Sequence, residues 1–311
     1  MKAIQAPDYG TPDILEFKTD VAEPTLKPDQ VLVEVRAAGL NPFDVKVLSG
    51  AYKASMPLEF PLTFGGDVAG VVTQVGKGAS AFKVGDEVYG SAIALSGGSG
   101  AYAELATMSA EKTALKPKNA SFNEAAALPV AGATAVEAIA DHIKLQQSQK
   151  ILIHGGAGGV GHLAIQYAKS LGAHVITTAS TKDAEFVKGL GADEVIDYQT
   201  QQFEQEFNAL DAVFVTVAGD VPAKSYQVLK PGGTLVLIVA PVDEELAKKH
   251  QVNAIYQGSD TSTSKFQRLA KLVEDGALKV HLDRVFPLEQ AREAFAHLSQ
   301  GHPQGKVVLK V

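Results

Sequence analysis

Cysteine is missing from all 311 residues, tryptophan is missing too, and methionine is down to 3. Without thiols there is no disulfide, no thiolate nucleophile and no cysteine metal ligand. A chain of this length buries enough core to fold without such staples. The absence fits a reducing compartment, and a cytoplasmic location is the expectation. Basic charge is scarce: 28 Lys and Arg against 35 Asp and Glu give a formal net charge of -7. No basic field exists for a phosphate backbone, so no nucleic-acid partner is expected. Long apolar runs are also lacking. The stretch "TLVLIVAPV" (234–242) is strand-length and too short to cross a bilayer. The first ten residues, "MKAIQAPDYG", lack the apolar core of a signal peptide. No membrane partner is expected. Internal repeats and low-complexity segments are absent.

What is present is an ordinary globular composition, 46% hydrophobic and 20% charged, with 29 glycines. The length suggests two domains. Residues 1–122 carry short strand patterns punctuated by Gly and Asp. "QVLVEVRAAGL" (30–40) alternates as a half-buried strand does. This part reads as a β-rich, barrel-like body. From residue 123 the texture changes. An alanine-rich helical stretch leads into alternating strands and helices: "KILIHG", "GHLAIQYAKSLG", "AHVITTAS", "KDAEFVKGLGA", "DEVIDY", "DAVFVTVAG", "AKSYQVLKPGG", "TLVLIVA". Such alternation implies a parallel sheet. The Pro-Gly-Gly at 231–233 reads as a helix stop before the next strand. The tail, 261–311, returns to complete the first domain. The expectation is therefore an α/β chain in which 123–260 binds a dinucleotide and 1–122 with 261–311 forms a second, β-rich domain.

The run "ILIHGGAGGVG" (151–161) carries the strongest chemical signal. Gly156, Gly158 and Gly161 fit G-x-G-x-x-G after a strand and before a helix, which is the context the motif requires. In this reading the first glycine allows a tight turn, the second lets a pyrophosphate approach, and the third packs helix on strand. Ala157, Gly159 and Val160 complete the loop, and the helix start offers free N–H groups to phosphate. The alternative is a glycine-rich turn without a ligand. NAD sites place an acid about 20 residues further on. Here the second strand ends in Ser180 and Lys182, which favour a 2′-phosphate and hence NADP(H). Asp183 stands nearby as a counter-argument, or as a helix opener. Tyr198, after the third strand, joins the candidate cofactor set.

With "GLNPFDVKVLSGAY", "PLTFGGDVAGVVTQVG", "VGDEVYG", "AAALPVAGATA", "GGAGGVGHLAIQYAKSLGA", "LGADEVIDY", "LKPGGTLV" and "GKVVLKV" in this order, the chain resembles the medium-chain dehydrogenase/reductase superfamily, in its zinc-free quinone oxidoreductase branch. The resemblance covers nearly the whole chain. It implies a GroES-like catalytic domain with a Rossmann domain, and a homodimer formed through the edge of the Rossmann sheet, with "HQVNAIYQG" (250–258) as that edge strand. The zinc ligands of related alcohol dehydrogenases would fall at Asn41, Gly66 and Val130, and a glycine and a valine cannot ligate. His142, His154, His162 and His174 lack metal-ligand spacing. No metal is expected. The resemblance places Asn41, Asp44 and Tyr52 at the active site: Asn41 donating to the acceptor oxygen, Tyr52 donating or relaying a proton, Asp44 orienting its neighbours. It also places Thr134 at the nicotinamide and Lys306 near the pyrophosphate. Each has a plainer alternative: turn chemistry for Asn41-Pro42, a helix cap for Asp44, packing for Tyr52, an ordinary helix threonine for Thr134, an exposed strand-end lysine for Lys306. Asp67 is open between a structural and a catalytic role.

Without a Lewis acid, an isolated alkoxide is hard to form at neutral pH. Quinones and enones spread the incoming charge and need only modest stabilisation. The expected activity is NADPH-dependent reduction of such small molecules. The alternatives are an enoyl-thioester reductase and a non-catalytic NADPH-binding sensor or interaction protein.

Overall fold

The computed structural model of the protein describes residues 1–258, 260–300 and 302–311. It divides into two compact units, Met1–Val130 with Thr261–Gly276 and Val280–Val311, and Ala131–Asp260 with Ala277–Lys279.

The first unit opens with β1 (Ala3–Ala6), β2 (Glu16–Lys18), β3 (Gln30–Gly39), α1 (Pro42–Leu48), β4 (Leu62–Thr63), β5 (Asp67–Val75), β6 (Glu87–Ser91), β7 (Leu105–Ser109), β8 (Thr113–Leu115) and α2 (Phe122–Ala126). Chain order continues through α3 (Pro129–Val136), β9 (Lys150–His154), α4 (Gly161–Ser170), β10 (His174–Ala179), α5 (Ala184–Gly189), β11 (Glu194–Asp197), α6 (Phe203–Glu206), β12 (Leu210–Val215), α7 (Val221–Ser225), β13 (Leu229–Leu237), α8 (Glu244–His250) and β14 (Asn253–Tyr256). It ends with α9 (Thr263–Glu274), β15 (Leu282–Pro287), α10 (Ala291–Gln300) and β16 (Lys306–Lys310).

In the first unit a seven-stranded sheet runs β15-β16-β3-β5-β6-β8, with β7 also on β3, and a second sheet runs β2-β1-β4. The tail returns as expected: β16 pairs antiparallel with β3, Val308 opposite Gly39. β3 is not the half-buried strand its alternation suggests. Eight of its ten residues are buried, since β5 and β7 both pair with it and its apolar side chains join the core.

The second unit holds one parallel sheet in the order β11-β10-β9-β12-β13-β14. In chain order this is 3-2-1-4-5-6, the doubly wound arrangement that binds dinucleotides where the order reverses, here between β9 and β12. Its central strands are mainly apolar, as parallel strands covered on both faces must be: Ile151, Leu152 and Ile153 are fully buried. β14 is the edge, as the family resemblance implies.

Two expectations shift. The Pro-Gly-Gly at 231–233 lies inside β13, where the register with β12 slips between Leu210 and Ala212, so the pair makes a bulge and not a helix stop. The unit boundary falls after Val130, not after residue 122. α2 stays with the first unit because it lies directly on β3: a Cβ on Gly39 would come within 2.3 Å of the Ala126 carbonyl oxygen. Residues 277–279 belong to the second unit, where Lys279 and Gln166 exchange bonds of 2.8 and 3.0 Å.

Candidate active site

The glycine loop follows β9 at the sheet's switch point and opens α4. Its glycines divide their work differently from the motif reading. The left-handed turn residue is Gly155, at φ 75°, and not Gly156. Gly156 is bare for another reason: a Cβ there would sit 2.1 Å from Thr177 Oγ1. Gly161 packs helix start on strand end, and its Cβ would meet the Gly155 carbonyl oxygen at 2.1 Å. Gly158 differs from both. A Cβ there would be 3.4 Å from the nearest protein atom, an ordinary contact, so nothing in the fold forbids a side chain.

Thr178 anchors the loop by accepting the Gly155 N–H at 3.1 Å. Its hydroxyl also lies 3.3 Å from His154 Nδ1, and His154 Nε2 lies 3.3 Å from Ser225 Oγ. Burial lowers the His154 pKa to about 3, so the ring is a neutral strut.

At the end of β10 the structure corrects one assignment. Ser180 and Asp183 are both buried, and the Ser180 hydroxyl donates to the Asp183 carboxylate at 2.5 Å. Its one proton is thereby spent, so Ser180 is not placed to donate to a phosphate. Lys182 is exposed, and so is Tyr198. Thr134 lies buried in α3, with its backbone carbonyl accepting from Gln257 Nε2 at 3.1 Å.

The first unit gathers five side chains into one buried polar cluster. Asp44, three residues after Asn41, accepts the Asn41 N–H at 2.8 Å, half of a capping box at the start of α1. It also accepts the Tyr102 hydroxyl at 2.9 Å. The Asn41 side-chain N–H donates to Asp67 at 2.9 Å, and Asp67 also accepts the Val130 N–H at 3.3 Å. Lys306, on β16, donates to the Leu40 carbonyl at 2.7 Å and to the Asn41 side-chain oxygen at 2.5 Å, with its ammonium 3.9 Å from Asp67.

One reading is corrected: Lys306 is not an exposed strand-end lysine but is buried, with two of its N–H donors on Leu40 and Asn41. The Asn41 carbonyl accepts from Lys306 and one of its two amide N–H groups donates to Asp67, contacts that position the residue. Asp44 makes the capping contact of its plainer reading and also accepts from Tyr102. Burial, reinforced by the negative charge of Asp67, pushes the Asp44 pKa up to about 7 against the lowering hydrogen bonds from Asn41 and Tyr102 and the Lys306 charge. Burial also raises Asp67, opposed by Lys306, and lowers Lys306, opposed by the two carboxylates.

Tyr52 is outside this cluster. It is half-buried and stacks on Phe43, with ring centroids 5.6 Å apart. Phe43, Val47, Leu58, Phe64 and Ile93 line a small apolar recess whose one acidic wall is Asp44. Sequence reasoning missed Tyr102 altogether; nothing near it in the chain signals its partner 58 residues away.

The switch-point glycine loop on a doubly wound sheet defines a dinucleotide-binding protein. Two family profiles match, "Alcohol dehydrogenase GroES-like domain" over residues 27–118 and "Zinc-binding dehydrogenase" over residues 190–309. The chain is 39% identical to 2-methylene-furan-3-one reductase of Solanum lycopersicum, covering 99% of this chain and 79% of that one. It is 37% identical to the chloroplastic NADPH-dependent alkenal/one oxidoreductase of Arabidopsis thaliana, with the same shares of 99% and 79%. The quinone oxidoreductase of Coxiella burnetii superposes with a TM-score of 0.91 at 36% identity, over 100% of this chain and 99% of that one. The chain belongs to the quinone oxidoreductase branch of the medium-chain dehydrogenase/reductase family, with a Rossmann dinucleotide-binding unit and a GroES-like β-rich unit.

The zinc in the second profile's name does not fit these residues. Of the positions the family resemblance assigns to ligands, Gly66 and Val130 carry no donor atom. The third, Asn41, is held by the Lys306 ammonium, a positive charge that opposes a cation beside it. Among the described residues no group of three or more His, Cys, Asp or Glu side chains is arranged to hold a metal ion.

Proposed function

We propose that the protein is a zinc-independent, NADP(H)-dependent oxidoreductase that reduces quinones or α,β-unsaturated carbonyl compounds. One observation carries the reading: the positions resembling a zinc site are Asn41, Gly66 and Val130, with the Lys306 ammonium on Asn41, in a chain whose other unit carries a dinucleotide loop. NADPH, when bound, supplies a hydride. The acceptor then has to carry the resulting negative charge without a Lewis acid. A conjugated carbonyl or quinone delocalises it, so weak hydrogen bonding suffices. The names of the similar proteins, an alkenal/one oxidoreductase and a furanone reductase among them, support the same acceptor class.

The residues take these parts. Gly156, Ala157, Gly158, Gly159, Val160 and Gly161 form the pyrophosphate loop. Lys182 and Tyr198 serve the 2′-phosphate end, and Thr134 the nicotinamide end. Phe43 and its neighbours give a flat acceptor an apolar wall. Tyr52, stacked on Phe43, has the hydroxyl that serves the acceptor oxygen or relays its proton. Asn41, Asp44, Asp67 and Lys306 hold the start of α1 rigid. The exposed edge strand β14, where Tyr256 is 56% exposed, supports a homodimer formed through that edge.

The test is a screen of NADPH oxidation against quinones, 2-alkenals, cyclic enones and enoyl-CoA, with chelator-treated protein. Turnover of a quinone or enone at undiminished rate after chelation is expected. Preference for the thioester would favour the enoyl reductase alternative. Tight NADPH binding with no turnover of any acceptor would favour the non-catalytic one.

A further inference from the structure

Gln257 stands just past the end of β14, 4% exposed, with its backbone N–H donating to the Leu237 carbonyl at 2.9 Å. Its side-chain nitrogen donates to the Thr134 carbonyl at 3.1 Å and to the Glu137 carboxylate at 3.3 Å. Both partners are pure acceptors, so they settle which end of the amide is nitrogen. The other end, Oε1, is then turned away from them. Among the described residues it is the one buried side-chain polar atom without a hydrogen-bond partner.

An orphaned buried acceptor is uncommon in a folded protein and calls for an explanation. We infer that Gln257 reads the carboxamide of the nicotinamide ring, its Oε1 accepting a carboxamide N–H. This rests on the NADP(H) reading above and assigns one residue within it.

Three features of the second unit support the assignment. The first is position: Gln257 follows a parallel strand at its carboxyl end, the edge along which doubly wound sheets bind dinucleotides. The second is direction. The pyrophosphate loop follows β9 and the 2′-phosphate end follows β10, so the nicotinamide half runs the other way, past β12 and β13 towards β14. The third is local geometry. Glu137, which holds the Gln257 amide, begins a six-residue π-helical segment, Glu137–His142, directly after α3. π-helical turns are rare and concentrate at functional sites. Here the wider turn carries the carboxylate that fixes the orientation of Gln257. A carboxamide NH2 has two donors to offer, and a glutamine oxygen fixed in this way complements it.

The experiment compares NADP⁺ with its 3-acetylpyridine analogue, in which a methyl replaces the carboxamide NH2, so that the N–H donors are gone. Dissociation constants are measured by titration calorimetry for wild type, Gln257→Leu and Gln257→Met. Wild type is expected to bind NADP⁺ about tenfold more tightly than the analogue, and both variants to bring that ratio close to one by weakening NADP⁺ alone. Because the ratio is internal to each variant, partial destabilisation cancels. Equal affinities in wild type, or a wild-type ratio in both variants, would overturn the assignment while leaving the NADP(H) reading intact. Failure of wild type to bind NADP⁺ or NADPH would instead remove the cofactor reading and the assignment with it.

Discussion

Lys306 Nζ donates to Asn41 Oδ1 at 2.5 Å, joining residues 265 positions apart in the chain. The bond decides the orientation of the amide. With its oxygen facing an ammonium, the Asn41 nitrogen faces Asp67 and donates to it at 2.9 Å. The reverse orientation would set N–H against ammonium and oxygen against carboxylate. Lys306 thus fixes the residue that begins α1.

Removing that ammonium should be costly. In Lys306→Met the Leu40 and Asn41 oxygens lose their donor, and Asp67 keeps a buried charge without its cation. Breaking a buried pair from one side costs about 3–5 kcal/mol. Urea unfolding of Lys306→Met should show a loss in this range. Adding Asp67→Asn should restore a large part of it by removing the stranded charge. A single variant within about 0.5 kcal/mol of wild type, the usual span for surface changes, would mean that the ammonium is not a structural partner.

Asp44 gives a pH signature. Its folded-state pKa is raised to about 7, above the roughly 3.9 of an unfolded aspartate. The folded state therefore holds the proton more tightly. The stability this contributes is complete below the unfolded value and is lost as pH rises through about 7, by up to about 1.4 kcal/mol per pH unit. Asp44→Asn cannot titrate, yet its carbonyl still accepts from Asn41. The unfolding free energy of wild type minus that of Asp44→Asn should fall between pH 4.5 and 7 and level off above. A flat difference across that range, measured by denaturant titration, would place Asp44 at its ordinary value.

These two residues also show where the sequence was readable. Asp44 lies three positions after Asn41, the spacing of a capping box, and its bond to the Asn41 N–H follows from local chemistry. Lys306 was not readable in the same way. Its surroundings exist only because β16 pairs with β3; the return of the tail is legible in the sequence, but not which side chains it brings together. The alternation of strands and helices after residue 123 gave the parallel sheet, because each element carries its own periodicity. It could not reveal that Pro231 sits in a bulge, since a Pro-Gly pair ends helices and interrupts strands alike. Ser180 failed for a related reason. A serine at that point offers one proton, and only the packed structure shows that Asp183 takes it.

The loop glycines separate fold from ligand. Gly161→Ala drives a Cβ to 2.1 Å from a backbone oxygen, an overpacking that costs about 1–3 kcal/mol. Gly158→Ala meets its nearest neighbour at 3.4 Å and should leave stability within about 0.5 kcal/mol of wild type. Its methyl would instead stand where the pyrophosphate approaches, and NADPH affinity should fall about tenfold or more. Thermal unfolding and fluorescence titration of the two variants should thus give opposite patterns. Unchanged NADPH binding in Gly158→Ala would show that the dinucleotide does not approach at this residue.

Cofactor choice now turns on Lys182. With the Ser180 proton held by Asp183, the serine gives a 2′-phosphate nothing, and Ser180→Ala should change the affinity for NADPH by less than about twofold while loosening Asp183. Lys182 is exposed beside the same strand end, so its charge acts through water and is screened by salt. Lys182→Ala should weaken NADPH about three- to tenfold and leave NADH unchanged, because only the phosphorylated ribose carries the charge that the lysine attracts. Raising the ionic strength should weaken NADPH binding to wild type more than to Lys182→Ala. Both dissociation constants are read from cofactor fluorescence at low and high salt. A Ser180→Ala variant that loses NADPH affinity while Lys182→Ala keeps it would return the phosphate contact to the serine.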